Sequence, residues 1–255
     1  MIKIQSKVMK IGLLECDHVR EEFRHIAGDY RDMFPALFLP IAPYWKFVCY
    51  DVVNGHFPTS INDCEAYLCT GSKYSVYDDE PWIHQLKTFV NDLYHNDKPF
   101  VGVCFGHQLL AEALGGKVQK ADIGWCVGVH EFQIFSSEFR VPSGGVPQNV
   151  QYQTSDIKGL NLLMMCQDQV VKLPPNSIVM AITEDCRVAM FRVGERMLGI
   201  QAHPEFTAEY EEALMKSRVE RIGVEKVTRG LESLSSPLDS KLIAKWIVDF
   251  VTFAV

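Results

Sequence analysis

Cys104 has glycine two residues away on each side, in the stretch Gly-Val-Cys-Phe-Gly at residues 102–106. The apolar run at residues 100–103 predicts a buried strand before it, and residues 108–114 are rich in helix-forming types. A G-x-C-x-G sequence between a strand and a helix is typical of a nucleophile elbow, whose sharp turn lifts a reactive side chain clear of a sheet. The free N–H groups at a helix start favour a thiolate. The pattern therefore predicts that Cys104 is a nucleophile.

A second polar motif, His203-Pro204-Glu205, follows the apolar residues 197–200. A cysteine nucleophile needs a base, and that base needs a third group that fixes its tautomer. Histidine supplies a base near neutral pH, and a carboxylate two residues later can return to the imidazole. The spacing and residue types therefore predict a catalytic triad of Cys104, His203 and Glu205.

Both motifs resemble those of the class I (triad) glutamine amidotransferase family. The residues that carry the resemblance are Gly-Val-Cys-Phe-Gly-His-Gln at 102–108 and Gln-Ala-His-Pro-Glu at 201–205. The match is closest to the free-standing, GMP-synthase-like members, which include the plant γ-glutamyl peptidases, and it extends over about residues 8–206. The resemblance implies a flavodoxin-like fold. It also implies that Cys104 attacks the γ-carbonyl of a γ-glutamyl group, forms a thioester, and releases ammonia or an amine before water releases glutamate.

Acyl transfer also needs donors for the oxyanion that develops on the carbonyl oxygen. The N–H of Phe105, directly after the nucleophile, is the first expected donor. Thr70-Gly71-Ser72 resembles the family's Ser-Gly-Gly-Pro loop, which implies the Ser72 N–H as the second donor and close approach at Gly71; an ordinary turn after a strand is the alternative. Gln108 lies one helical turn beyond Cys104, at a position that helps to bind the glutamate end of the substrate in the family. A solvated helix glutamine is the alternative there.

Two positions depart from the family pattern. Residues 162–170 resemble a segment written His-x-Asp-x-Val, but Cys166 stands at the usual histidine position. Because that residue usually flanks the glutamine pocket, the departure bears on substrate preference. Ala202 stands before His203 where many members carry Phe or Gly, which is a milder change.

Four functions are compatible with these motifs. A glutaminase would release glutamate and ammonia and could pass ammonia to a separate synthetase or acceptor subunit. A γ-glutamyl peptidase would cleave γ-glutamyl peptides or conjugates and needs no acceptor. A non-catalytic binding or regulatory protein would retain the site without turnover, and a redox-sensing protein would use Cys104 chiefly through oxidation to sulfenic acid.

Composition argues against several other classes of protein. The net charge of −7 argues against a nucleic-acid partner, and no apolar run reaches the roughly 18 residues of a membrane helix. The N-terminus lacks the apolar stretch of a signal peptide, so we expect a cytoplasmic protein. The eight cysteines include no C-x-x-C pair, which favours reduced thiols over disulfides or zinc. No metal or cofactor is expected.

Alternating strands and helices must position these residues. Strands are predicted within residues 10–16, 44–53 and 66–70, and Pro81 begins a helix that ends at His95. This alternation predicts an α/β fold with a doubly wound, mostly parallel sheet flanked by helices, whose carboxyl edge carries Cys104.

The second half of the chain has a different pattern. Residues 125–200 predict a small antiparallel extension of short strands, with a loop at 142–148. Two closing helices are predicted, of which the last is amphipathic and packs on the sheet or, alternatively, forms a dimer face. We expect one domain over residues 1–255, with its C-terminal helices at about 207–255.

Overall fold

The computed structural model describes residues 8–135 and 159–253, so the predicted loop at 142–148 lies outside the described residues. Its strands are β1 (Met9–Leu14), β2 (Trp45–Tyr50), β3 (Ala66–Cys69), β4 (Phe100–Val103), β5 (Lys117–Lys120), β6 (Cys126–Ile134), β7 (Leu160–Cys166), β8 (Asp168–Lys172), β9 (Ser177–Ile182), β10 (Met190–Val193) and β11 (Met197–Ile200). Its α-helices are α1 (Arg24–Ala27), α2 (Tyr30–Phe38), α3 (Pro81–His95), α4 (Phe105–Ala113), α5 (Ala208–Ser217), α6 (Val219–Ile222), α7 (Val224–Ser233) and α8 (Ser240–Phe253).

The main sheet has the order β2-β1-β3-β4-β11-β10-β9-β6-β7 in the described part of the chain. Its first five strands are parallel and follow the flavodoxin-like order. The remaining strands pair antiparallel, and β5 pairs with β8 in a separate two-stranded sheet. The structure thus confirms the predicted doubly wound sheet and its antiparallel extension.

Apolar side chains fill a separate core on each face of the sheet. Along β4, Val101 and Val103 belong to one core, whereas Phe100 belongs to the other. Helices α2, α5, α7 and α8 supply the first core, and α3 and α4 supply the second. A parallel sheet buried on both faces is the expected consequence of helical crossovers.

The C-terminal region differs from the prediction of two closing helices, because it contains α5, α6, α7 and α8. Gly223 separates α6 from α7 with a φ of +96°, a conformation that glycine adopts without strain. The apolar stripe of the last helix is confirmed: Ile243, Ile247 and Val251 are buried in the first core. No helix within residues 8–135 or 159–253 has the length and apolar character needed to cross a bilayer.

The register of the parallel strands sets the position of the candidate site. Val103 of β4 pairs with Ile200 of β11, and Cys69 of β3 pairs with Gly102. The segments that follow β3, β4 and β11 therefore meet at the carboxyl edge of the sheet. They contain the Gly71 loop, Cys104 and the residues that lead to His203.

Candidate active site

Cys104 lies between β4 and α4 in a strained backbone conformation, with φ 51° and ψ −98°. Non-glycine residues adopt positive φ rarely, and such strain concentrates at functional sites. The flanking glycines are required by space: a Cβ at Gly102 would lie 2.1 Å from the Gly106 carbonyl oxygen, and one at Gly106 would lie 2.7 Å from that of Cys69. The backbone therefore forms the nucleophile elbow expected from the sequence.

His203 and Glu205 lie beside this turn, and both are buried. The Nδ1 atom of His203 lies 2.8 Å from Oε1 of Glu205, and the imidazole is near enough to Cys104 for the two groups to interact electrostatically. Burial alone would lower the pKa of His203, but the charges of Cys104 and Glu205 raise that pKa well above its usual range. The arrangement can hold a thiolate–imidazolium pair. The catalytic role of these three residues stays a prediction.

The histidine of the elbow motif, His107, cannot act as the base that the sequence assigns to His203. It is fully buried, and burial lowers the pKa of His107 to about 4. Its ring packs edge-on against Phe191, with the two centroids 4.9 Å apart. His107 is therefore a neutral core residue at physiological pH.

The loop after β3 contains both residues assigned to the second oxyanion donor. A Cβ at Gly71 would lie 2.7 Å from Cε1 of His203, so the close approach at Gly71 is to the imidazole. Ser72 lines the same cleft as Cys104, and its hydroxyl donates to the Cys16 carbonyl oxygen at 2.8 Å. Phe105 begins α4, where the first N–H groups have no intrahelical acceptor. The donor roles of Ser72 and Phe105 stay predictions.

Asp17, which the sequence motifs did not reveal, anchors this loop. Its carboxylate accepts hydrogen bonds from the backbone N–H and the Nζ of Lys73, both at 3.0 Å. Asp17 comes shortly after β1, whose carboxyl end lies at the same edge of the sheet. A polar residue after a parallel strand is the signal that could have identified it.

Gln108 and Gln201 form a hydrogen-bonded chain that leads to the Cys104 sulfur. Gln108 Nε2 donates to the carbonyl oxygen of Asp168 at 2.8 Å and to Gln201 Oε1 at 3.2 Å. Gln201 Nε2 in turn donates to the Cys104 sulfur at 3.5 Å. Gln108 also lines the cleft, and its contact with substrate stays a prediction. The sequence motif includes Gln201, two residues before His203, but it did not indicate the hydrogen bond from Gln201 to Cys104.

Cys166 also lines the cleft, at the position where the family pattern has histidine. It is the cross-strand neighbour of Cys126, and the interaction with that thiol, together with burial, raises the pKa of Cys166 well above its usual range. Cys166 therefore stays a neutral thiol at physiological pH.

The cleft above the Cys104 sulfur has a volume of about 120 Å³. Its wall combines side chains from both halves of the chain and is rich in polar groups. The residues that line it include Ser75, Lys120, Trp125, Asp168, Arg218 and Arg221. Within the described residues, no three or more His, Cys, Asp or Glu side chains are grouped to hold a metal ion.

Comparison with known proteins relates this geometry to a family. The model of the family "Glutamine amidotransferase class-I" matches residues 71–220, which include the cysteine elbow and the histidine segment. The chain belongs to the class I glutamine amidotransferases. Within this family it is 30% identical to gamma-glutamyl peptidase 3 of Arabidopsis thaliana over 208 residues, which cover 80% of this chain and 79% of the relative.

Two further proteins are similar to this chain, one in sequence and one in fold. A GMP synthase (glutamine-hydrolyzing) of Porphyromonas gingivalis is 27% identical over 212 residues, which cover 73% of this chain but only 38% of the synthase. A glutamine amidotransferase of Thermotoga maritima has the same fold, with a TM-score of 0.70, 17% identity and 96% coverage of both chains. The resemblance seen in the two sequence motifs is therefore confirmed.

Proposed function

We propose that this protein hydrolyses γ-glutamyl amides, with Cys104 as nucleophile, His203 as general acid and base, and Glu205 as the group that orients the imidazole. The observation that carries the proposal is the strained cysteine at a helix start, which interacts electrostatically with a buried histidine whose Nδ1 lies 2.8 Å from a buried carboxylate. This is the nucleophile, base and orienting group that acyl transfer requires.

In the first half-reaction, the Cys104 sulfur attacks the γ-carbonyl carbon and the carbonyl oxygen becomes an oxyanion. The N–H groups of Phe105 and Ser72 donate hydrogen bonds to this oxygen. As the C–N bond breaks, imidazolium His203 gives its proton to the leaving nitrogen. Ammonia or an amine departs, and the γ-glutamyl group remains on Cys104 as a thioester.

In the second half-reaction, neutral His203 takes a proton from water, which attacks the thioester carbonyl. The tetrahedral intermediate expels the Cys104 thiolate and releases glutamate, which restores the thiolate–imidazolium pair. Glu205 keeps its charge throughout and holds the Nδ1 proton of His203, so that Nε2 is the atom that exchanges protons.

Two leaving groups fit this chemistry. Glutamine is the simpler substrate, since its hydrolysis requires only a site for the γ-glutamyl group. A separate synthetase could then accept the ammonia that is released. γ-Glutamyl peptides or conjugates are the second candidate, favoured by the polar cleft beside Cys104 and by the relative named gamma-glutamyl peptidase 3.

We also propose that residues 1–255 act as one catalytic domain. Arg218 and Arg221 come from the C-terminal helical region, yet they line the same cleft as Cys104. This shared wall supports a single unit in which the helices after residue 207 complete the site.

The proposal is tested with a panel of glutamine and γ-glutamyl amides, with glutamate release as the readout. Wild type should turn over at least one substrate, and a diazo-ketone analogue of glutamine should label Cys104 stoichiometrically. Cys104→Ala should abolish both results, whereas Cys49→Ala, which removes an exposed thiol, should leave them unchanged. Full turnover by Cys104→Ala would disprove this mechanism. A wild type that shows neither turnover nor labelling would instead be a binding protein.

A further inference from the structure

Three basic side chains from separate elements line the cleft around Cys104. Lys120 is the last residue of β5, Arg218 lies between α5 and α6, and Arg221 lies within α6. None of the three forms an ion pair with a residue in the ranges 8–135 and 159–253. We refer to these residues as the basic rim.

Two other charged groups line the cleft, Lys73 and Asp168. Lys73 forms an ion pair with Asp17, with Nζ and Oδ1 3.0 Å apart. The carboxylate of Asp168 accepts hydrogen bonds from Ser75 at 2.5 Å and from Tyr77 at 2.9 Å. Both of these donors are neutral hydroxyls, so the negative charge of Asp168 remains and offsets at most one of the three positive charges of the basic rim.

The basic rim is partly held in place before any ligand binds. The guanidinium carbon of Arg221 lies 5.5 Å from the centroid of the Trp125 ring. Trp125 lies in the loop between β5 and β6. The backbone of this loop is fixed in turn, since Lys226 Nζ donates to the carbonyl oxygens of Ile123 at 2.6 Å and Trp125 at 2.8 Å. A held guanidinium loses less entropy when it binds a carboxylate.

We infer that the basic rim binds a carboxylate on the leaving group, so that the preferred substrates are γ-glutamyl peptides with a free C-terminal carboxylate. This inference rests on the proposed γ-glutamyl hydrolysis. Glutamine cannot use such a rim, because its leaving group is ammonia. The γ-glutamyl end carries one carboxylate and one ammonium group. The three cations of the basic rim less the one charge of Asp168 leave two positive charges, which is more than this zwitterion needs. A second carboxylate beyond the scissile bond accounts for the excess positive charge.

The basic rim could bind the carboxylate of the leaving group or that of the γ-glutamyl group. Two substrates that share the γ-glutamyl group distinguish these two positions. γ-Glutamylglycine has a leaving-group carboxylate, and γ-glutamylglycinamide replaces it with a neutral amide. For Arg218→Gln/Arg221→Gln, kcat/KM should fall about 10- to 100-fold on γ-glutamylglycine, the range expected for loss of charge-assisted hydrogen bonds, and less than about twofold on the glycinamide. Lys120→Gln should shift the same preference in the same direction, and it serves as the second variant should the double substitution impair folding.

Arg229→Gln is the matched control, because Arg229 is an exposed arginine on α7 that pairs with Glu225 rather than lining the cleft. It should leave both kcat/KM values unchanged. An equal loss on both substrates would overturn the inference, since the cations would then bind the acyl carboxylate, and so would no loss on either. Wild type that hydrolyses neither compound, nor any other γ-glutamyl amide, would disprove the proposed function itself.

Discussion

Gly71 lies so close to His203 that a Cβ at position 71 would be 2.7 Å from Cε1 of the imidazole. The ring also stacks on Phe206, with the two centroids 4.0 Å apart, which limits its freedom to move away. In Gly71→Ala, we expect the imidazole to shift from Cys104 and kcat/KM to fall about 100-fold, the loss that a displacement of roughly 1 Å can produce. Steady-state hydrolysis of the best γ-glutamyl substrate measures the effect.

A folding defect has to be separated from a displaced base. Thermal unfolding of Gly71→Ala should remain cooperative, and the variant should still react with iodoacetamide at Cys104, but more slowly than wild type. Unchanged kcat/KM in this variant would show that the Gly71 contact does not position the imidazole.

Glu205 is expected to control both the rate and the pH dependence of hydrolysis. In Glu205→Gln, the amide no longer holds the Nδ1 proton of His203, and kcat should fall by about 10²- to 10⁴-fold. The Glu205 charge helps to raise the pKa of His203, so its removal should lower that pKa. Imidazolium, the form that protonates the leaving group, is then lost at lower pH, and the alkaline limb of kcat should move in the acid direction.

The pH–rate profile from pH 5 to 10 measures this shift. Glu209→Gln is the matched control, since it removes an exposed carboxylate four residues along the chain. Its profile should coincide with that of wild type. An alkaline limb at the same pH in Glu205→Gln would argue against the electrostatic role of Glu205.

The strands and motifs were readable from sequence where the signal is local. Helix α3 begins at Pro81 and ends at His95 as predicted, because proline is favoured in the first turn and one apolar stripe runs along the helix. Helix α2 was not identified, since Pro35 interrupts its pattern and its capping pair uses Asp32 where Glu or Gln is usual. The prediction of two closing helices was wrong because isolated breaks, such as Gly223, divide that region further.

The candidate site likewise has features that local sequence predicts and features that depend on long-range packing. Cys104, His203 and Glu205 lie in short contiguous motifs, so residue type and spacing were sufficient to nominate them. The contact between Gly71 and His203 depends on how β3, β4 and β11 are placed side by side. The basic rim depends on the packing of the C-terminal helices against β6 and against Trp125, which lies just before that strand. Such long-range relationships have no signature in a single sequence.

Gln201 is expected to assist Cys104 through the hydrogen bond to its sulfur. In Gln201→Leu, the 3.5 Å contact with Cys104 is lost, and Gln108 loses one of its two acceptors. A hydrogen bond to a charged group contributes about 1.5–3 kcal/mol, so kcat/KM should fall roughly 10- to 100-fold. The rate of Cys104 alkylation by iodoacetamide should change as well, which a purely structural role would not require. An unaltered alkylation rate and kcat/KM would exclude this assistance.

Glu211 should make the protein less stable as the pH rises. It is fully buried on α5, and burial raises the pKa of Glu211 from its ordinary value of 4.5 to about 7. Below pH 4.5 the folded and unfolded chains both hold the proton; between 4.5 and 7 the unfolded chain releases it first, and the free energy of unfolding falls. At about 1.4 kcal/mol per pKa unit, the loss is about 3 kcal/mol once the pH exceeds 7.

Glu211→Gln removes this linkage and retains an oxygen for the Gly128 N–H, which donates to Glu211 Oε1 at 3.2 Å. Urea unfolding from pH 5 to 8 should therefore show the variant gaining stability relative to wild type, by up to about 3 kcal/mol at the alkaline end. Glu212→Gln, which alters the neighbouring carboxylate paired with Lys216, should run parallel to wild type. Parallel curves for Glu211→Gln and wild type would mean that Glu211 titrates near its ordinary pKa in the folded protein, and that the buried carboxylate does not cause the loss of stability.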